Sequence, residues 1–212
     1  MTGNVNAVVV GQSGQGAILV SKVLATAYHR SGLAVVATEY PAITHRYAIT
    51  YAHVRSGRGV FSPRIRPREA SIVVGLEAFE CLRASLLFAN PDTVVVSNDS
   101  FIRTDGEPNH LLTEPIAVET IGDIVAALAG RGITRVVPLG ATRLAFEVVG
   151  SRAGTNMVLL GAAFASGRLK LEQAALEEVI IDLAPRDTGE RNRQGFLAGI
   201  AAYRAAIREE RW

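Results

Sequence analysis

The first forty residues alternate between short apolar runs and a segment with the spacing of an amphipathic helix. A mostly apolar run covers Asn6–Val10, which suits a strand buried on both faces of a sheet. A glycine-rich turn follows at residues 11–16, and apolar positions between Ala17 and Arg30 then recur at helical spacing. Gly32 is placed to end this helix, and Leu33–Thr38 has the composition of a second strand. The order predicts a βαβ unit.

The rest of the chain continues the mixture of strands and helices. Strands are predicted at Ala48–Arg55, Arg58–Phe61, Ser71–Gly75, Asp92–Ser97, 116–118 and 135–137. A polar, hairpin-like stretch at 98–113 contains the turn signal Asp105-Gly106. Helices are predicted at Glu77–Phe88, Ile121–Ala129, Ala153–Ala165, Leu171–Asp182 and Gly189–Ile207. With no internal repeat or low-complexity linker, we expect one Rossmann-like, three-layer α/β domain over residues 1–212, with a mostly parallel sheet and a helical C-terminal layer.

Composition narrows the class of protein. The 212 residues are 49% apolar and 20% charged, which is typical of a globular protein with a sizeable core. The net charge is only +2 and no basic run is dense, so a nucleic-acid partner is not expected. The N-terminus has no signal-peptide pattern and no apolar run is long enough to span a bilayer, so we expect a cytoplasmic protein without a membrane contact.

The residues that commonly hold metals are sparse. The single cysteine, Cys81, excludes an internal disulfide and cannot hold an iron–sulfur cluster, which needs several thiolates. Cys81 lies in an apolar helical stretch and is predicted to be a small core residue. The four histidines show no metal-ligand spacing.

The turn at Gly11, Gly14, Gln15 and Gly16 is the first candidate for chemistry. A strand, a glycine-rich turn and a helix together present backbone N–H groups that suit a phosphate or another anion. The spacing is G-x-x-G-x-G and not the dinucleotide fingerprint G-x-G-x-x-G, although Glu39 ends the second strand, where such folds place the ribose-binding acid. Three interpretations stay open: a turn that only packs the helix on the sheet, a nucleotide site, and a contact with a partner or a partner-held ligand.

Four stretches of the sequence together resemble one family. They are GQSGQGAILVSKVL, ATEYPAITHRYAITYAHVR, GVFSPRIRPREASIVVGLEAFECLR, and the tail from GTNMVLLGAAFASGRLKLEQAALEEVI to ERNRQGFLAGIAAY. In this order they resemble the γ domain of pyruvate and other 2-oxoacid:ferredoxin oxidoreductases, and the third stretch is most similar to the small subunit of the indolepyruvate enzymes. The resemblance covers nearly the whole chain.

The resemblance implies a subunit of an enzyme that converts a 2-oxoacid and coenzyme A to acyl-CoA, carbon dioxide and electrons for ferredoxin. Thiamine diphosphate, magnesium and [4Fe-4S] clusters are then expected on a larger catalytic subunit, because this sequence lacks a Gly-Asp-Gly…Asn pattern and cluster cysteines. We therefore expect a chain that binds no cofactor alone, is inactive alone and completes the partner's active site. The alternatives are a free-standing nucleotide-binding reductase and a non-catalytic paralogue that acts in assembly or binding.

The sequence departs from the family at one loop. Where the family has Arg-Gly-Gly, this chain has Arg46-Tyr47-Ala48, and Ser13 replaces a glycine in the turn. Two interpretations of Arg46 stay open: a solvated loop cation, and a cation that faces a carboxylate or a CoA phosphate, with His45 either assisting it or having a structural role. We predict that Tyr47 reshapes the entrance for an aromatic or otherwise distinct substrate. Glu39 is either a satisfied strand-end acid or a contact to the partner's cofactor region.

Other polar residues are predicted to have ordinary structural roles. Glu77 and Glu80, with Arg83, follow helical spacing, which indicates a surface ion pair. Asn156 and Asn192 begin helical stretches and are predicted to be caps.

Overall fold

The computed structural model describes residues 3–40, 49–102, 118–185 and 187–209, and a six-stranded sheet runs through them. The strands are β1 Val5–Gln12, β2 Val35–Tyr40, β3 Ile49–Ser56, β4 Ile72–Gly75, β5 Val94–Asn98 and β6 Val136–Leu139. The helices are α1 Ala17–Arg30, α2 Ala78–Phe88, α3 Ile121–Ala129, α4 Ala141–Val149, α5 Thr155–Ala165, α6 Gln173–Asp182 and α7 Gly189–Glu209, with one 3-10 turn at Arg152–Gly154.

The sheet is mostly parallel, as predicted. Its strand order is β2-β3-β1-β4-β5-β6, and β1, β4, β5 and β6 are parallel neighbours. Strand β3 lies between β2 and β1 and runs antiparallel to both. The first two strands are therefore separated by β3, and the predicted βαβ unit does not place them side by side. We call the edge where β1, β4, β5 and β6 end the carboxyl edge, and the opposite edge the amino edge.

Alternate residues of the central strands point into two separate cores. Ala7 and Val9 of β1 lie in a core with side chains of α1, α5, α6 and α7. Val8 and Val10 lie in the second core, with side chains of α2 and α3. Because successive strand residues face opposite sides of a sheet, one continuous apolar run serves both layers. The result is the three-layer α/β arrangement predicted from the sequence.

Helices α5 and α7 pack with unusually little distance between their backbones. A Cβ atom added to Gly161 would collide with the carbonyl oxygen of Phe196, and one added to Gly199 would collide with the carbonyl oxygen of Val158. Both glycines are thus required by close backbone approach. The pair fixes the helical C-terminal layer against the sheet.

Several predicted elements need correction. Helix α3 has the predicted bounds, but α4 was missed. Arg58–Phe61 is not a strand, because the residues that follow it, Ser62 and Ile65, are hydrogen-bonded to side chains of β3. Asn192 lies inside α7, so it is not a cap. Asn156 is the second residue of α5, whose N-cap is Gly154, so it is not the cap either.

Gly32 follows α1 with a positive φ of 71° and donates its N–H to the carbonyl of His29, as expected of a residue that ends a helix. In the part of the chain that the structure describes, no helix has both the length and the apolar character needed to cross a membrane.

Candidate functional site

The glycine-rich turn closes on itself through Gln15. The Gln15 backbone N–H donates to the carbonyl of Gln12 at 3.1 Å, and the Gln12 N–H donates to Gln15 Oε1 at 2.7 Å. The Gln15 side-chain amide also reaches the carbonyl of Leu76 at 3.4 Å. Gly14 and Gly16 have φ values of 89° and 90°, where other residues are strained. The turn is therefore rigid before any ligand or partner arrives.

Two glycines of the turn are required by close contacts. A Cβ on Gly11 would lie 2.8 Å from Leu76 Cβ, so this glycine lets β1 and the end of β4 pack together. A Cβ on Gly16 would collide with the side-chain amide of Asn156, at the start of α5. Gly14 is exposed, and nothing lies within 4 Å of its added Cβ. Of the predicted contacts, Gly14 is thus the glycine most open to a ligand or partner.

A hydrogen-bonded row of polar side chains crosses the carboxyl edge beside this turn. Asn98, the last residue of β5, donates its amide to the carbonyl of Leu76 at 3.1 Å and to Thr142 Oγ1 at 2.9 Å. Thr142, in the first turn of α4, returns its backbone N–H to Asn98 Oδ1 at 3.3 Å and accepts from Thr155 at 3.4 Å. These hydrogen bonds connect the ends of β4 and β5 to the first turns of α4 and α5. They therefore fix the relative positions of the elements that line the carboxyl edge.

Glu77 and Glu80 are buried, so the predicted ion pair with Arg83 forms at Glu80 but does not lie at the surface. Glu77 is 0% exposed and Glu80 is 5% exposed. Glu77 caps α2, accepting from the Glu80 N–H at 2.7 Å and from the Ile102 N–H at 3.0 Å. The segment at residues 100–102 folds back over the start of α2, since Ala78 also donates its N–H to the carbonyl of Ser100. This long-range contact, invisible in the helical spacing, removes both carboxyl groups from water.

Burial sets the protonation of this pair. It raises the pKa of Glu77, against the lowering effect of its backbone hydrogen bonds. Burial raises the pKa of Glu80 to about 7, the nearby Arg83 opposing the rise and Glu77 adding to it. Glu80 Oε1 accepts from Arg83 at 3.4 Å, whereas Oε2 is buried and has no hydrogen-bond partner. The Glu80 carboxyl group therefore titrates near neutral pH.

Gln12 links the turn to the same region. Its side-chain amide donates to the carbonyl of Ile102 at 3.4 Å, while its amide oxygen is buried and has no hydrogen-bond partner. Gln12 thus binds the carbonyl of Ile102, and Glu77 binds its N–H. The glycine-rich turn and the buried acids form one continuous unit at the carboxyl edge.

The position of Glu39 departs from the geometry of a dinucleotide site. Glu39 is a half-buried residue of β2, paired with Ala52 of β3. In the dinucleotide fold the acid lies on the strand beside the glycine-rich turn, but here β3 intervenes, which places Glu39 roughly 10 Å from β1. This topology disfavours the nucleotide-site interpretation of the turn.

The other predicted contacts, His45, Arg46 and Tyr47, lie outside the described residues. The strand residues on either side, Tyr40 and Ile49, lie at the carboxyl edge, since Ile49 pairs with Gln12. Cys81 is fully buried, as predicted, and burial raises the pKa of its thiol to about 11. Within the described ranges, no group of three or more His, Cys, Asp or Glu side chains is placed to hold a metal ion.

The family of the chain follows from a match along nearly its whole length. The family model described as "Pyruvate ferredoxin/flavodoxin oxidoreductase" matches residues 6–202. The chain belongs to this family.

Its relatives are named as subunits of oxidoreductases. The chain is 34% identical to indolepyruvate oxidoreductase subunit IorB of Archaeoglobus fulgidus, over 82% of this chain and 83% of the relative. It is 26% identical to the IorB subunit of Thermococcus kodakarensis, over 95% and 97% of the two chains. The fold is shared with the γ subunit of a keto/oxoacid ferredoxin oxidoreductase from Geobacter sulfurreducens, with a TM-score of 0.69, 19% identity, and coverage of 95% of this chain and 99% of that one.

The sequence pointed to the glycine-rich turn but missed most of what surrounds it. Asn98 is the last residue of β5 and Thr142 comes shortly after β6, and the rule that ligands gather at the carboxyl ends of parallel strands would have selected them. The place of Asn156 over Gly16 had no local signal, because it depends on how α5 packs against α1.

Proposed function

We propose that this chain is the small subunit of a thiamine-diphosphate-dependent 2-oxoacid:ferredoxin oxidoreductase of the indolepyruvate or arylpyruvate type. It completes an active site that is carried by a larger subunit. That subunit holds thiamine diphosphate, magnesium and [4Fe-4S] clusters, takes coenzyme A as co-substrate and passes electrons to ferredoxin.

One observation carries this proposal: the likeness to subunits named IorB extends over most of both chains. The chemistry of the carboxyl edge supports it. The described residues there include the backbone N–H groups of Gly14 and Gly16, and the hydrogen-bonded side chains of Asn98 and Thr142 fix the strand and helix ends beside them. Such groups bind and orient a ligand, and a subunit that completes another subunit's site needs this capacity.

The substrate class rests on the loop at residues 45–47. Arg46 supplies a cation for the carboxylate of the oxoacid or a CoA phosphate, with His45 beside it in sequence. Tyr47 supplies a flat apolar face with a polar tip, which suits an aromatic side chain of the substrate. Glu39 lies on β2, the strand that leads into this loop, and we propose that it contacts the partner.

The reductase and assembly-protein alternatives make different predictions. A free-standing reductase needs a nucleotide at the glycine-rich turn, and the inserted β3 strand disfavours that geometry. An assembly protein would bind the large subunit without altering its turnover. The effect of this chain on the turnover of the large subunit therefore distinguishes the proposal from the assembly-protein alternative.

The substrate class is tested by steady-state kinetics of the co-purified complex on aryl- and alkyl-2-oxoacids. Arg46→Ala removes a charge-assisted contact worth roughly 1.5–3 kcal/mol, so kcat/KM is expected to fall about tenfold to hundredfold. Tyr47→Gly is expected to change the preference between the two kinds of oxoacid. Arg131→Ala, in an exposed turn after α3, is the control. If both loop variants match wild type on every substrate, the loop does not contact substrate.

A further inference from the structure

The connection between β3 and β4 forms a separate exposed feature at the amino edge. We call residues 57–68 the Phe61 loop. It begins after Ser56, which pairs with Val5 at the start of β1, and it ends shortly before β4. The eight-residue strand β1 separates the start of the loop, at Gly57, from the glycine-rich turn, a distance of roughly 26 Å. The Phe61 loop therefore starts at the end of the sheet opposite the candidate site.

Arg55 holds the middle of this loop in place. Its Nη1 donates to the carbonyl oxygens of Ser62, at 2.8 Å, and Arg64, at 3.2 Å. Its Nε donates to the side chain of Asn6 at 2.9 Å. One guanidinium group thus connects the loop to β1 and β3.

A second anchor is Ile65, which is fully buried. Its backbone N–H donates to His53 Nδ1 at 3.2 Å. The His53 ring makes edge contacts with Tyr40 and Phe88, and burial lowers its pKa to about 4, with the charges of Arg64 and Arg55 acting in the same direction. The imidazole is therefore neutral at physiological pH and available as an acceptor.

Both ends of the loop are also fixed by backbone contacts. The Gly57 N–H donates to the carbonyl of Ala34 at 3.1 Å, and the Arg68 N–H donates to the carbonyl of Leu87 at 3.0 Å. Asn90 donates its side-chain amide to the carbonyl of Arg68 at 2.8 Å. The loop has no regular secondary structure, yet hydrogen bonds hold it at four places: Gly57, Ser62 with Arg64, Ile65, and Arg68.

The fixed loop presents an apolar side chain at its tip. Phe61 is 92% exposed. The residues that hold its two ends also expose apolar surface: Leu33, next to Ala34, is 43% exposed, and Leu87 is 49% exposed. An almost fully exposed aromatic side chain on a loop that is fixed at several points is typical of a residue that another protein covers.

The same surface carries a concentrated positive charge. Residues 55–69 contain five of the 22 basic residues and one of the 20 acidic residues, so the rest of the chain has a net charge of −2. The side chains of Arg58, Arg64, Arg66 and Arg68 are exposed. The one acid in the segment, Glu69, lies 3.8 Å from Arg66 in an exposed pair, which neutralises little. The occupant of this surface must therefore supply carboxylates.

We propose that the Phe61 loop docks on the large catalytic subunit, with Phe61 in an apolar pocket and the exposed arginines facing carboxylates around it. This partner rests on the proposed function, and on relatives that are themselves named as subunits. A second copy fits less well, because a symmetric contact would bring two positive loops together and an asymmetric contact would continue from copy to copy into a ring or a filament. Arginine with an aromatic tip is the composition of a protein–protein hot spot.

The test measures the affinity of this chain for the large subunit of the same complex at low and high salt. Phe61→Ser is expected to weaken the Kd about tenfold to hundredfold at either salt concentration. Arg58→Glu with Arg66→Glu is expected to weaken it by a similar factor at low salt and less at high salt, since salt screens exposed charges. Ile207→Ser and Arg131→Glu change exposed residues of the same types elsewhere and are expected to match wild type.

Wild-type affinity for both loop variants, in a complex that assembles, would overturn the docking proposal and leave the proposed function standing. Failure of the wild-type chain to bind the large subunit would overturn both. A loss that appears only in sedimentation with phosphatidylserine vesicles, with assembly unchanged, would overturn the protein partner in favour of a lipid surface.

Discussion

The side-chain amide of Asn156 lies directly over the Cα atom of Gly16, so the first turns of α5 and α1 meet at the carboxyl edge of the sheet. This contact gives a second reason, besides the positive φ of Gly16, why the third glycine of the turn is needed. It also makes the shape of the turn depend on the C-terminal helices, which are distant in sequence.

The matched pair Gly14→Ala and Gly16→Ala separates backbone strain from this contact. Both glycines have φ near 90°, so each change is expected to cost of order 1–3 kcal/mol in the free energy of unfolding. Only Gly16→Ala adds a collision with Asn156, and we expect it to be the more destabilising of the two, measured by urea unfolding. Adding Asn156→Ala should reduce the excess cost. Equal costs for the two glycine variants would contradict the contact.

The close crossing of α5 and α7 predicts that substitutions at two other glycines lower the stability of the fold. Gly161→Ala and Gly199→Ala each place a methyl group against a backbone carbonyl of the facing helix, which the neighbouring helix can avoid only by moving. We expect each to lower the free energy of unfolding by about 1–3 kcal/mol or more. Gly195→Ala, also on α7, has its nearest contact at 3.4 Å and serves as the control. A thermal midpoint unchanged in all three variants would show that the helices lie farther apart.

The raised pKa of Glu80 predicts that wild type and a Glu80→Gln variant differ in stability by an amount that depends on pH. Its folded pKa, about 7, is raised above the ordinary value of 4.5, so its contribution to stability is complete below about pH 4.5 and is lost as the pH rises through 7. Glu80→Gln removes this titration. The free energy of unfolding of the variant minus that of wild type should therefore increase between pH 4.5 and 7, by on the order of 3 kcal/mol, and then level off.

Comparing variant with wild type at each pH also cancels the opposite contribution of His53. The folded pKa of His53, about 4, is depressed, so its contribution is lost as the pH falls from 6.5 through 4. Parallel stability curves for wild type and Glu80→Gln across this range would mean that the Glu80 carboxyl is hydrated.

Local patterns predicted some elements well because a single periodicity decided them. Helix α3 has the predicted bounds, Ile121–Ala129, since its apolar spacing and the Thr120–Asp123 capping box agree. The segment Arg58–Phe61 has a short apolar run that favours a strand, but the residues after it are held by side chains of β3: Arg55 donates to the Ser62 carbonyl, and His53 accepts from the Ile65 N–H. Such tertiary contacts override local propensity.

The site depended on contacts that no local pattern contains. The glycine-rich turn was visible as a motif, yet the insertion of β3 beside β1 is a matter of strand pairing between distant segments. In the same way, the spacing of Glu77, Glu80 and Arg83 fits an exposed helix face as well as a buried one. Only the contact of Ile102 with the start of α2, which is distant in sequence, decides between the two. The predicted roles of His45, Arg46 and Tyr47 stay predictions.

The most direct measurement is the rate of ferredoxin reduction with indolepyruvate and coenzyme A, for the purified large subunit, for this chain, and for the two together. We predict that neither protein alone turns over at the rate of the pair, and that adding this chain to the large subunit restores activity in proportion to the complex formed. Turnover by this chain alone, or a large subunit whose full rate is unchanged when this chain binds, would contradict its role as the subunit that completes the active site.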